Sequence, residues 1–424
     1  MKFDIVIVGG GMVGASLAAA LKDSGLSLAL VESQSLLMRE NVPNSKASSP
    51  LPNPLPNPLP NPLPQAGEGA NESLREFDID DWDSRIYAIS PGSRSFLEQS
   101  GAWSLLDAGR IEPVEAMRVF GDTGAELEFS AYQMGVAELA CILEGRGLQQ
   151  ALWQVLAQQE NLTLFRPARC AGLSFAGAAA TLTLEDGRSL DAKLIVGADG
   201  RDSWVRDQAG ISAAPLDYRQ SGVVANFACE LPHRGIAHQW FQADGILALL
   251  PLPGNRASMV WSASPGQSAE LLALTHEALS AKVSAAAHHT LGGMRVITPP
   301  ASFPLRLLVL PRITAPRLAL IGDAAHNMHP LAGQGVNTGF RDARQLARIL
   351  AERGAQNDCG DARLLRRYER NRKEDIYSMQ ATTYGLKHLF NNDVPPLRMM
   401  RNFGLAAANH LAPLKKLLMR HALN

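Results

Sequence analysis

The chain has 424 residues, 46% hydrophobic and 19% charged, ordinary values for a globular protein of two or three domains. Its 40 Lys and Arg nearly balance 41 Asp and Glu, so the net charge of −1 removes the global electrostatic case for nucleic acid. Cys141, Cys170, Cys229 and Cys359 lie far apart without a C-x-x-C pair, which argues against a disulfide framework or structural zinc and for a reduced, cytoplasmic setting.

Phe3 to Val8 is a continuous apolar, β-branched run suited to a buried parallel strand. Met12 to Ser24 reads as a helix of small residues, and Leu26 to Glu32 as the next strand. Ile5 to Leu21 imitates a signal-peptide core, but Asp4 and the glycines at Gly9, Gly10, Gly11 and Gly14 argue against one. Between Ser49 and Pro64 the motif Leu-Pro-Asn-Pro repeats three times. Alternating prolines block helix and sheet alike, so residues 41–72 are expected to be a disordered surface insertion rather than a docking site for a proline-recognising partner. Arg94 to Ala108 and Ala137 to Glu160 read as helices. Leu162 to Phe175, Ala180 to Leu184 and Leu190 to Val196 read as strands, with a turn at Asp186-Gly187. Several short strands fill Gly222 to Ser264, Leu318 to Ile321 is another buried strand, and the chain is helical from Val336 onward. No window has the ~20 uninterrupted apolar residues of a membrane span.

Chemistry first shows at Gly9-x-Gly11-x-x-Gly14, set between the first strand and the first helix. The first glycine permits the tight turn, the second admits a pyrophosphate, and the third lets helix and strand pack closely. The helix start adds unpaired N–H groups for the phosphates. Glu32, 18 residues beyond Gly14, is placed to accept the hydroxyls of an adenosine ribose. These features predict dinucleotide binding without separating NAD from FAD.

Two later segments separate them. Leu194 to Arg201 is an apolar strand running into Gly197-Ala198-Asp199-Gly200, and Leu318 to His326 repeats that design around Gly322-Asp323. Pro330 and Gly333-Gln334-Gly335-Val336-Asn337 follow. Together they resemble the group A flavoprotein monooxygenases, the aromatic hydroxylases with the p-hydroxybenzoate hydroxylase fold. The stretch Ser84-Arg85-Ile86-Tyr87-Ala88-Ile89-Ser90 and the run His329 to Asn337 are most similar to the ubiquinone-biosynthesis hydroxylases.

That resemblance implies an α/β fold: a Rossmann-like FAD-binding domain, an inserted β-sheet substrate domain and a C-terminal helical region. The FAD domain is expected over 1–110, 138–212 and 302–350, the substrate domain over 111–137 and 213–301, and the helical region over 351–424. Asp323 would bind the ribitol chain of FAD, and Asp199 would be shared between FAD and the nicotinamide cofactor. Arg146 would lie near the pyrophosphate and Arg85 near the flavin or its entry path. Gly322, Gly335, Val336 and Asn337 complete the cofactor set, with Pro330, Gly333, Gln334 and Gly335 lining the flavin face. A helix start beside the pyrimidine end of the ring would stabilise an anionic reduced flavin. The implied reaction uses NADH or NADPH and O2 to form a C4a-hydroperoxyflavin that hydroxylates the ring of a polyprenyl phenol. No separate catalytic residue and no metal is then required, because the cofactor supplies the chemistry.

For the remaining candidates, bland assignments prevail. His326 and His329 are expected to serve the loop rather than a metal, and Trp240, Phe241 and Trp261 are expected in the core. Arg94, Arg201 and Arg206 have ordinary surface or pyrophosphate roles. Competing functions are an epoxidase, reductase or halogenase on the same fold, or a non-catalytic FAD-containing assembly subunit. No W-x-W-x-I-P run of the halogenases is present. Val394 to Asn424 carries Arg398, Arg401, Lys415, Lys416 and Arg420 and no acid. A basic amphipathic helix there is equally suited to an anionic inner membrane or quinone-biosynthesis complex and to packing on the FAD domain.

Overall fold

The computed structural model describes residues 1–34, 82–121, 126–212, 216–242, 245–328, 334–354 and 357–390. The proline-rich insertion, the run 329–333 with Pro330 and Gly333, and the basic segment from 394 onward lie outside the described residues.

The first sheet is built on the apolar runs read from the sequence. Lys2–Val8 pairs in parallel with Leu28–Val31 on one side and with Ser189–Gly197 on the other. Leu162–Phe165 extends one edge and Leu318–Leu320 the other, both in parallel. Ile5, Val6 and Ile7 are wholly buried, as residues of a parallel strand covered on both faces must be. Helix Met12–Ala20 follows the first strand, and helices Gly145–Ala157 and Gln334–Ala351 pack beside it. One core cluster runs through all of them.

The second sheet has eight strands. Leu216–Cys229, Arg256–Ala263, Gly245–Leu252 and Ile236–Gln242 form its antiparallel centre. Ala116–Phe120 joins Ile236–Gln242 in parallel. One face is sealed by helices Pro265–Ala273 and His276–Ala286: Leu271, Leu279 and Val283 share a cluster with Trp240, Leu247, Met259 and Trp261. Side chains alternate along strands, so Val224, Gln239, Ala248, Leu250 and Val260 point to the opposite face. A third, three-stranded sheet joins Ile86–Ile89, Ala140–Glu144 and Glu112–Val114. Trp82, Ala88 and Ile142 beside this small sheet pack against Ala237 and Leu252 of the large one.

The expected α/β class is therefore present, with three corrections to its elements. Ala137 to Glu160 is not one helix, because Ala140–Glu144 is a strand buried between two partners and only Gly145–Ala157 is helical. The apolar Cys141-Ile142-Leu143 satisfies either secondary structure, and tertiary pairing decides. The helix expected from Arg94 to Ala108 spans Pro91–Gln99, capped by the Ser90 side chain on the Ser93 N–H, and gives way to two short 3₁₀ turns. Leu162 to Phe175 is two strands, Leu162–Phe165 and Cys170–Ala176, divided around Pro167.

Candidate functional site

The glycine motif forms as its spacing predicts. Gly9 adopts φ +104°, and a Cβ there would strike the backbone of Ala198 and Asp199, so the first and second motifs touch at a point where only glycine fits. A Cβ on Gly14 would strike the Gly9 carbonyl, which is the close helix–strand approach assigned to the third glycine. At Gly11 the space in front of the backbone is open, and the residue stands at the N-cap of Met12–Ala20 without a side-chain cap. Gly335, in the first turn of Gln334–Ala351, is equally open.

Neighbouring side chains hold this loop rigid. The Gly10 N–H donates to Glu32 Oε2 at 2.7 Å, and the Gly10 carbonyl accepts from Gln149 Nε2 at 2.7 Å and Trp153 Nε1 at 3.0 Å. Glu32 Oε1 accepts from the Gln34 N–H at 2.8 Å and more distantly from the Ser33 hydroxyl. A carboxylate offers about four acceptor positions, so Oε2 keeps capacity for a further donor such as a ribose hydroxyl.

The last motif meets the first directly. A Cβ on Gly339 would collide with Val13 of the first helix, and Gly322, at φ +60°, packs on the same side chain. Asp323 keeps substantial solvent exposure while protein crowds it closely enough for desolvation to push its carboxyl above the ordinary value, against the pull of His326 and Arg201. Exposure combined with crowding is the signature of a side chain on a cleft wall. Tyr87 senses the same cleft: burial raises its phenol, while charges on Arg85, Asp323 and Arg201 all act on it.

Arg85 and Arg146 are brought together through their backbones by one carboxylate. Asp83 Oδ1 accepts from the Arg85 N–H at 3.0 Å and Oδ2 from the Arg146 N–H at 2.9 Å. The Arg85 carbonyl accepts from the Gly145 N–H, closing the link to the helix that carries Arg146. Glu144 sits beneath, accepting from the Asp83 N–H at 2.6 Å and gripping Arg110 with both oxygens. Arg110 in turn lies 3.9 Å over the Trp82 ring. Both arginine side chains reach toward solvent.

Other expected ligands have work inside the fold. Asp199 is engaged locally: Oδ1 accepts from Ser203 and Oδ2 from the Val205 N–H at the start of a short helix. The Asn337 side chain bridges to the small sheet, accepting from the Ser90 N–H at 2.9 Å and donating to the Ala88 carbonyl at 2.8 Å. Val336 packs against the core. Gln334 is buried, and Pro330 and Gly333 lie outside the described residues. Trp240 and Trp261 belong to the helix-covered core, and Phe241 to a small cluster with Val119, Leu127 and Ile246. Sequence reading missed Asp83, Glu144, Asp342 and Arg372. Asp342 alone carried a signal, being the one acid in Gln334–Ala351.

Residues 137–382 match the model of a family described as FAD binding domain. Ubiquinone hydroxylase UbiL of Rhodospirillum rubrum is 36% identical over 423 residues, covering 99% of this chain and 89% of the relative. The 3-demethoxyubiquinol 3-hydroxylase of Escherichia coli is 34% identical over 99% of this chain and 98% of its own. The chain belongs to the FAD-dependent aromatic monooxygenases, beside the ubiquinone hydroxylases. Solved structures share the fold of this flavoprotein. PqsL of Pseudomonas aeruginosa, a probable FAD-dependent monooxygenase, superposes with a TM-score of 0.72 at 22% identity, covering 95% of this chain and all of the other. The p-nitrophenol 4-monooxygenase PnpA of Pseudomonas putida gives 0.72 at 16% identity, covering 100% and 99%. The flavoprotein's residues fit FAD: two open glycine backbones at helix starts suit a pyrophosphate and a flat ring, and the exposed Asp323, next to the Gly322 that packs on Val13 of the first helix, supplies an acceptor.

Proposed function

We propose that this flavoprotein hydroxylates the aromatic ring of a polyprenyl phenol in ubiquinone biosynthesis, with FAD as cofactor and NADH or NADPH and O2 as co-substrates. The observation that carries this reading is the junction of the first and last motifs, where Gly322 and Gly339 pack on Val13 of the first helix, the backbones of Gly11 and Gly335 stay open, and Asp323 is exposed beside Gly322. The chemistry that bound FAD would supply is acceptance of hydride from the nicotinamide and activation of oxygen.

The chain's own residues supply position and surroundings. The N–H groups at the start of Met12–Ala20 hold the pyrophosphate and Glu32 the adenosine ribose. Asp323 accepts from the ribitol hydroxyls. The helix start at Gly335 would lie beside the flavin, where its dipole would favour negative charge on the ring. Arg85 and Arg146, fixed by Asp83, guard the pyrophosphate side and the entry. Asp199 acts by fixing the turn beside Gly9 and reaches the nicotinamide only transiently.

The phenol lies over the part of the large sheet's second face that the small sheet leaves open. Ala248 and Val260, paired across neighbouring strands, remain partly exposed there, so small apolar side chains leave room for a ring and the start of an isoprenoid tail. Among the described residues no helix is long and apolar enough to cross a membrane. A tail-bearing substrate would be met at a lipid surface or inside a quinone-biosynthesis complex, and the acid-free sequence from Val394 to Asn424 is suited to that contact. Deleting the gene tests the function. A phenolic polyprenyl precursor accumulates, and purified holoprotein with NADH or NADPH converts it to the hydroxylated product. Normal ubiquinone content in the deletion strain would overturn the reading.

A further inference from the structure

The closing helix Ala362–Phe390 reaches back into the cofactor site through a buried ion network. Asp342, in Gln334–Ala351, is wholly buried. Its Oδ2 accepts from the Gly322 N–H at 2.9 Å and meets His326 Nε2 at 2.6 Å, while Oδ1 accepts from Arg372 Nε at 2.6 Å. Arg372, on the closing helix, also pairs with Asp375, which Arg341 engages in turn at 3.1 Å. The network extends to the start of Gln334–Ala351. The Thr338 carbonyl accepts from Arg372 and its hydroxyl from Arg341, and that hydroxyl donates to the Gln334 carbonyl at 2.9 Å. Two acids and two arginines thus brace the Gly322-Asp323 turn and the turn that carries Gly335. Nearby, the Tyr368 hydroxyl, fully buried, donates to the Leu320 carbonyl at the end of the strand leading into Gly322.

Stability alone is a weak account of such a network. Removing charges from water is costly, and well-packed apolar residues of similar volume often serve a core as well or better. What the ions achieve here is directional: Asp342 fixes the orientation of the Gly322 peptide, the residue immediately before Asp323. A change in that peptide's plane would carry the Asp323 carboxylate away from the cleft wall.

We propose that Asp342, Arg372 and His326 are positioning residues of the FAD site, and that helix Ala362–Phe390 is an integral part of the cofactor-binding unit rather than an appendage. This rests on the FAD reading above, so the experiment separates the two. FAD affinity of the apoprotein is read by flavin fluorescence titration, and the melting temperature of each apoprotein is read without FAD. Failure of wild-type protein to bind FAD would refute the cofactor reading itself. With wild-type binding established, Asp342→Asn, Arg372→Met and His326→Ala each weaken FAD binding at least tenfold, and Arg372→Lys recovers part of the loss. Breaking one partner of a buried pair can unfold a protein, so Asp342→Asn combined with Arg372→Met removes both charges together and restores the apoprotein's melting temperature but not its affinity. His326→Ala, which leaves the Asp342–Arg372 pair intact, supplies the same readout independently. The flavin midpoint potential of the loaded variants shifts as well, which a purely structural brace would not cause. Folded variants that bind FAD within twofold of wild type at an unchanged potential would overturn the proposal.

Discussion

Two alanine substitutions, one turn of helix apart, separate what the glycine motif does for the fold from what it does for the ligand. In Gly11→Ala the new Cβ meets no atom within 4 Å, and the residue's φ of −63° and ψ of 176° suit alanine. The loss of glycine at an N-cap costs a few tenths to about 1 kcal/mol, and the reduced freedom of the unfolded chain returns about 0.4–1 kcal/mol. The net change in apoprotein stability is therefore near zero. The methyl group nevertheless occupies the space through which a pyrophosphate oxygen must approach, so FAD affinity falls at least tenfold, equivalent to about 1.4 kcal/mol. Gly14→Ala behaves in the opposite manner. Its Cβ collides with the Gly9 carbonyl and meets the Ala198 side chain at 3.0 Å, and neither is a flexible chain end. Helix and strand must separate, at about 1–3 kcal/mol or more, with or without cofactor. Thermal unfolding of both apoproteins and a fluorescence titration with FAD decide the matter. A Gly11→Ala protein that binds FAD with wild-type affinity would refute the assignment of that open space to the pyrophosphate.

Other expectations follow from single contacts. Asp323→Asn weakens FAD binding but stabilises the apoprotein at neutral pH, because the folded-state carboxyl is raised above 3.8 and its ionisation opposes folding. The advantage is lost below that value, where the carboxyl is protonated folded or unfolded, and melting curves from pH 3 to 8 test the sign. Asp83→Ala removes two charge-assisted hydrogen bonds to backbone N–H groups, costing about 2–3 kcal/mol and loosening Arg85 and Arg146 together. FAD affinity should fall by about tenfold in the same variant, as titration of the apoprotein will show. Ala248→Phe fills the gap beside Val260 on the open part of that sheet face, raising KM for the phenol without altering FAD affinity. An unchanged KM would place the phenol elsewhere.

Much of the site was legible because it is local. Gly9, Gly11, Gly14 and Glu32 are constrained by the turn between one strand, one helix and the next strand, and such constraints are written in spacing. Gly322 and Asp323 stood out as a strand end repeated, which suits a turn former as well as a ligand, and the resemblance alone supplied the expected role. What escaped was the support, whose partners are distant in the chain. Asp83 meets Arg146 across 63 residues, and Asn337 meets Ala88 across 249. No period or motif joins such pairs. The same limit explains Ala140–Glu144, whose apolar residues suit a strand or a buried helix until Ile86–Ile89 and Glu112–Val114 arrive on either side.

Asp342 marks the boundary between the two kinds of information. As the one acid of an otherwise basic helix it was visible, but a lone acid on a helix is ordinarily a solvated surface group. The arrival of Arg372 from 30 residues downstream, together with His326 and the Gly322 N–H, makes its complete burial tolerable. Burial opposes ionisation of Asp342, yet His326 and Arg372 outweigh it and hold the carboxyl below its ordinary value. Asp323, 19 residues earlier in the chain, is exposed yet shifted the other way by the protein crowded around it, because His326 and Arg201 offset the desolvation only in part and no ion pair with it forms among the described residues. One carboxylate is satisfied by the fold and the other is held ready at a cost in stability. That asymmetry separates the buried brace at Asp342 from the exposed carboxylate at Asp323, which is the acceptor proposed for FAD.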